Sequence, residues 1–98
     1  MQAELITVTE YCFHHHTEPA FIAALEENGL ISLTMVAQER YIHYSQLRDL
    51  ENYTRWYYEM DINIGGIDAM HYMLEKLAAA QEEINQLKEK LKLYNTGE

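Results

Sequence analysis

Apolar and polar residues alternate along this chain in a way that divides it into short segments before one long one. Glu4 to Thr7 is a short β-favouring run, a small strand or an extended lead-in. Thr9 is a good N-cap for a short helix over residues 10–15, with Tyr11, Cys12 and His15 on its inner face. Thr17-Glu18-Pro19 opens a second helix, because proline in a first turn gives up an N–H that has no helical partner there. Phe21, Ile22 and Leu25 form its apolar face, and Asn28-Gly29 is a stop that accepts positive φ. Two short helices joined by a tight turn read as a helix-turn-helix.

The period then changes from helical to β-favouring. Residues 30–37 are followed by a polar turn at Gln38-Glu39-Arg40 and a second β-favouring run, Tyr41-Ile42-His43-Tyr44, which together predict a hairpin, or wing. Ser45 is placed to cap a third helix running to about Met60, with Leu47, Leu50, Tyr53, Trp56 and Tyr57 as its buried stripe. Asp61-Ile62-Asn63 breaks that helix, and Gly65-Gly66 marks a hinge or a close packing point. A long last helix follows, on which a heptad runs. Its a positions are Met70, Leu77, Ile84 and Leu91, and its d positions are Met73, Ala80, Leu87 and Tyr94. About 25 residues of such a helix span roughly 37 Å. An a/d seam flanked by charges predicts a coiled coil pairing two copies of the chain. The competing arrangement is one amphipathic helix folded back on its own domain. The division expected is a winged helix-turn-helix over 1–61, then a linker and dimerisation helix over 62–98, with a frayed end at Thr96-Gly97-Glu98.

Composition and charge narrow the partners. With 98 residues, one domain is the prior, and a chain this short gains from oligomerisation. The net charge is −9, and it is unevenly spread. Residues 1–63 hold three arginines (Arg40, Arg48, Arg55) against ten acids, a net of −7, and all four lysines lie in the last helix. Affinity for nucleic acid comes largely from Lys and Arg neutralising phosphates, so this half is built the wrong way for it. Residues 1–11 lack a basic leader and a long apolar stretch, and no apolar run approaches the roughly 18 residues of a membrane span. A cytoplasmic protein is the simplest reading.

Residues that carry chemistry elsewhere do not assemble into a site here. His14-His15-His16 point in different directions on a helix and do not converge on one ion, so no metal is expected. Cys12, the single cysteine, lies on an apolar face without Lys or Arg nearby and reads as a small buried hydrophobe rather than a reactive thiol. His43 and His71 have no partner pattern. Glu26-Glu27 and Glu82-Glu83 are solvated pairs rather than an acid/base couple. The tyrosines and Trp56 could stack on single-stranded nucleic acid, but basic residues do not interleave with them; core packing and a protein interface fit better. No nucleophile triad or phosphate loop is present, and neither an enzyme nor a cofactor is expected.

This order of elements resembles the MerR-like winged helix-turn-helix architecture, mainly α with a small β-hairpin wing and a long C-terminal coiled-coil helix. Within it the chain is similar to the CbpM family of chaperone modulators. The motifs are Thr7-Val8-Thr9-Glu10-Tyr11-Cys12-Phe13-His14, Leu25-Glu26-Glu27-Asn28-Gly29-Leu30-Ile31 and Asp61-Ile62-Asn63-Ile64-Gly65-Gly66-Ile67. The resemblance implies binding to the J-domain of a DnaJ-like co-chaperone and restraint of its activity. J-domains carry a basic surface, which an acidic modulator complements. The expected contact residues are Glu18, Glu26, Glu27, Glu39 and Arg40 on the second helix and wing. The alternatives are a MerR-type DNA-binding regulator, with Arg40, Arg48 and Arg55 on phosphates, and an assembly module whose coiled coil is its whole function. The chain departs from DNA-binding MerR proteins in having no Lys or Arg over residues 19–28 and only Arg40 in the wing, and from metal-sensing ones in having no cysteine near the coiled coil.

Overall fold

The computed structural model describes residues 4–96. In chain order the elements are β1 (Leu5–Thr7), α1 (Val8–His15), α2 (Pro19–Glu27), β2 (Leu33–Val36), β3 (Glu39–His43), a 3-10 turn (Tyr44–Gln46), α3 (Leu47–Tyr58) and α4 (Ile64–Thr96). The chain separates into two compact units, the first ending at Asp68 and the second beginning at Ala69. The division expected at 61/62 therefore falls inside the first unit. Residues 62–68 join that unit, and Ile67 in the first turn of α4 is fully buried. Of the frayed end expected at 96–98, Thr96 is the last residue of α4, and Gly97 and Glu98 lie outside the described residues.

The core of the first unit is built from Tyr11 and Cys12 of α1, Phe21, Ile22 and Leu25 of α2, Leu30 and Ile31, Ile42 of β3, and Leu50, Tyr53 and Trp56 of α3. The α3 residues recur at i, i+3 and i+6, the spacing that keeps one helical face inward. Burying each such side chain is worth about 2 kcal/mol. Leu47 and Tyr57 sit at the half-buried edges of the stripe.

Where a helix starts is set by which side chain caps it. Thr7, not Thr9, caps α1: its hydroxyl accepts from Glu10 N–H at 3.0 Å and the Glu10 carboxylate accepts from Thr7 N–H at 3.4 Å. Only Thr7 has an acid three residues on, so only Thr7 can form the reciprocal capping box. Likewise Ser45 is not the cap of α3. His43 precedes a 3-10 turn and its Nδ1 accepts from Ser45 N–H at 3.1 Å. The Gln46 side chain then bonds both backbone groups of Ser32, each at 2.7 Å, fixing the loop that leads into β2. The α2 stop is as expected: Gly29 (φ 75°) lets Leu30 N–H reach Leu25 O at 2.9 Å and Gly29 N–H reach Glu26 O at 3.0 Å.

The extended segments form one three-stranded antiparallel sheet in the order β1-β3-β2. Ile42 pairs with Ile6 on one side and with Leu33 on the other. The wing is therefore more than a hairpin, since the lead-in strand completes it. Its turn is also one residue tighter than expected. Ala37 and Gln38 form it at φ 51° and 67°, and Glu39 and Arg40 belong to β3. Positive φ at both central residues is the two-residue turn whose twist matches a hairpin. Asn-Gly is its usual sequence, and Ala-Gln hides it.

Gly65 and Gly66 lie inside α4, not in a linker. The Asn63 Oδ1 accepts from Gly66 N–H at 2.8 Å and so caps the helix start. Of the two roles open for this pair, close packing fits Gly66. A Cβ there would stand 2.8 Å from Ile62 Cγ2, whereas one at Gly65 would meet only Asn63 Oδ1, at 3.7 Å. The two substitutions therefore have opposite signs. Gly65→Ala should stabilise the chain by about 0.5 kcal/mol through lower unfolded-state entropy, and Gly66→Ala should destabilise it by about 1 kcal/mol through displacement of Ile62. Urea unfolding of the two variants against the parent checks both signs.

Candidate functional site

The fold distributes the five expected contact residues over separate places. Glu39 and Arg40 start β3 and, with Val8, Thr9, Pro19, Ile22 and Gln38, line a depression between the wing and the starts of α1 and α2. Glu18, the N-cap residue of α2, instead lines a groove with Ala20, Phe21, Ala24, Tyr57, Tyr58 and Ile64. Glu26 and Glu27 are exposed in the last turn of α2 and line neither. The structure therefore brings Glu39 and Arg40 together and sets Glu18 apart from them. All five are solvent-exposed, which suits electrostatic steering of a partner better than desolvated contact.

Sequence reasoning missed the groove on the Glu18 side. Its walls are the rings of Phe21, Tyr57 and Tyr58. Phe21 and Tyr57 are 4.6 Å apart at 33°, Phe21 and Tyr58 are 5.3 Å apart at 72°, and Tyr57 and Tyr58 are 5.0 Å apart at 75°. The Tyr58 hydroxyl accepts from Glu18 N–H at 3.1 Å, which holds the ring over the start of α2. A second depression shares Tyr57 and Tyr58 and adds Asp61, Ile62 and Asn63. The available signal was the Tyr57-Tyr58 pair itself. On a helix, adjacent residues point about 100° apart, so one of the pair must leave the core face.

The residues expected to form the seam lie on α4, where Tyr72, Leu74 and Leu93, which are outside the heptad's a and d positions, are exposed too. Met73, Leu77, Ile84, Leu87, Leu91 and Tyr94 are exposed in the single chain, with Ala80 also exposed and Met70 half-buried. Tyr72, Met73, Lys76, Leu77 and Ala80 form an apolar groove along this helix, where Lys76 Nζ lies 5.4 Å from the Tyr72 ring centroid.

The histidine run has a different character. His15 is exposed but stacks on buried Tyr11, ring centroids 4.1 Å apart, rather than turning inward. Phe13, 77% exposed, meets the edge of His14. Among the described residues no three His, Cys, Asp or Glu side chains are grouped as an ion would need. Cys12 is a buried free thiol. His43 bonds the Ser45 hydroxyl at 2.9 Å, and His71 Nε2 lies 3.1 Å from the Glu75 carboxylate. No described helix is long and apolar enough to cross a membrane.

A helix-turn-helix, a three-stranded wing and a following long helix define a winged helix-turn-helix protein with a helical extension. The family model for MerR HTH family regulatory proteins matches residues 6–89, and the chain belongs to that family. Comparisons with curated proteins and with solved structures find no match.

Within this frame the titration of Tyr11 is perturbed. Burial pushes the Tyr11 phenol up from its ordinary value near 10. Its hydrogen bond to Thr54 opposes that shift, and the Glu51 carboxylate adds to it. A folded-state pKa above the unfolded one gives stability that is present below the unfolded value and lost as pH rises through the folded one. As pH rises above about 10, the parent should therefore lose stability more steeply than Tyr11→Phe, although Tyr11→Phe is about 1 kcal/mol less stable at pH 7. Urea midpoints of both across that range check this.

Proposed function

We propose that this chain is a non-enzymatic regulator that binds the J-domain of a DnaJ-like co-chaperone, restrains it, and acts as a homodimer joined through α4. One observation carries the reading. In a MerR-type fold that binds DNA, the second helix and the wing supply basic contacts, and here those elements present Glu18, Glu26, Glu27 and Glu39 against a single Arg40. All five are exposed. Spread over those elements rather than gathered on one face, these charges would disfavour phosphate and steer in the basic face that J-domains carry. The similarity to CbpM-type chaperone modulators supports the same partner.

A second reading has support from the family match itself, since regulators with this fold include DNA-binding ones. It would place Arg40, Arg48 and Arg55 on phosphates, and all three are exposed. Three charges release few counterions, so binding by this route would be weak and confined to low salt.

Calorimetric titration with the J-domain of the host's DnaJ-like co-chaperone separates the two readings. Saturable binding that weakens as salt is raised is the expected result. No heat at low or moderate salt, together with retardation of duplex DNA in a gel, would instead favour the DNA reading. The dimer has its own check. Ile84→Asp with Leu87→Asp puts charge into the a/d seam and should convert a sedimenting dimer to monomer. A double variant that still sediments as a dimer would place the interface elsewhere.

A further inference from the structure

We infer that the groove walled by Tyr57 and Tyr58 and flanked by Glu18 and Asp61 receives an arginine side chain from the basic surface of a protein partner. The proposal deepens the protein-binding reading and rests on it for the kind of partner alone. It lies away from Glu39 and Arg40 of the wing, which line a different depression.

Three observations converge on a cation. The groove beside Glu18, about 290 Å³, and the one beside Asp61, about 360 Å³, share Tyr57 and Tyr58 as walls, so a carboxylate lines each side of one tyrosine pair. Those two rings stand nearly perpendicular, at 75° with centroids 5.0 Å apart, and Tyr58 is 41% exposed. Phe21 covers one side of the Tyr57 ring, so the aromatic surface open to solvent is chiefly that of Tyr58. A cation within about 6 Å of an aromatic face is attracted by it. Arginine adds what lysine cannot: a flat guanidinium that stacks on the ring while its fork of donors meets a carboxylate. The site is also held in place. The Tyr58 hydroxyl is tied to Glu18 N–H at 3.1 Å, and the Tyr57 ring packs on buried Phe21 at 4.6 Å. Holding the rings beforehand lowers the ordering cost of binding. Glu59, exposed and next to Tyr58 in sequence, adds negative charge to this end of α3 without lining either groove, and Arg55, the nearest arginine in sequence, is engaged with Asn52 Oδ1 at 2.9 Å.

Two substitutions remove the charge without disturbing the fold. Asp61 is at φ 56°, a conformation that asparagine tolerates well. The Glu18 carboxylate makes no capping hydrogen bond to α2. The test titrates the full chain, observed by amide NMR, with a Gly/Ser decapeptide carrying three arginines and with the same peptide carrying citrulline, its neutral isostere. The arginine peptide should shift Glu18, Tyr57, Tyr58 and Asp61, the citrulline peptide should not, and Glu18→Gln with Asp61→Asn should weaken binding by about fivefold to tenfold. Equal binding of the two peptides, shifts confined to the wing or α4, or unchanged affinity of the double variant would overturn the inference. Titrating the J-domain in parallel separates the two readings. J-domain binding that the double variant leaves intact counts against the groove alone. An arginine peptide that binds the groove while the J-domain does not bind counts against the co-chaperone partner alone.

Discussion

The arrangement of the first unit depends on where one buried phenol finds its hydrogen bond. Tyr11 is fully buried, and a hydroxyl taken out of water without a partner costs on the order of 1–3 kcal/mol. Its partner is Thr54 Oγ1 at 2.8 Å, 43 residues away, and the single Thr54 proton goes to Leu50 O at 2.8 Å. Tyr11 must therefore be the donor, and the relay runs from α1 through a side chain of α3 into the backbone of α3. That fixes how α3 lies against α1. With Leu50, Tyr53 and Trp56 committed to the core, Tyr57 and Tyr58 fall at its edge, where they meet Phe21 of α2. The aromatic groove is thus a consequence of the core rather than an addition to it. By contrast, the hydroxyl of buried Thr17 finds no hydrogen-bond partner among the described residues. No functional account of that atom follows from its surroundings.

How much of this was legible in the sequence varied with the kind of signal. The helical stripes of α2 and α3 were clear because apolar spacing alone defines them, and Gly29 marked its own turn by its freedom at positive φ. The errors fell where two local signals competed. Thr7 and Thr9 are both plausible caps, and only the reciprocal pairing with Glu10 decides between them. Ser45 lost to His43 because an imidazole nitrogen can accept from Ser45 N–H as a cap does. The wing turn was hidden because Ala37 and Gln38 are held at positive φ by the pairing of Val36 with Glu39 around them, not by their own preference. Gly65-Gly66 looked like a break, yet Asn63 starts a helix just before them.

The candidate surface shows a sharper limit. Residue type and exposure of Glu18, Glu26, Glu27, Glu39 and Arg40 could be read from pattern, but not which of them share a face. That is a tertiary fact, set by the side of α2 that packs on α3 and the side that meets the wing. Glu18 sits at the turn between those sides and goes with the tyrosines. Tyr57 and Tyr58 carried only the signal of their adjacency, and it was overridden because an aromatic at the edge of a helical stripe reads first as core.

Charge and family point in different directions for this fold, and the way the charge is divided reconciles them. The first unit carries eleven acids and three arginines, a net of −8, while residues 69–98 carry five acids and four lysines, a net of −1. A helix that is nearly neutral and exposes Leu77, Ile84, Leu87 and Leu91 can approach its own copy with little repulsion. Isolated helices gain little stability from propensity alone, which is the physical ground for the proposed pairing through α4. The first unit behaves in the opposite way. Its net charge of −8 would discourage contact with other copies and with phosphate, which is the physical basis of the protein-binding proposal. The fold is that of the MerR HTH family. Within that fold, the protein-binding proposal rests on α2 and the wing presenting Glu18, Glu26, Glu27 and Glu39 against Arg40 alone, a set of charges that would suit a polycation better than a polyanion.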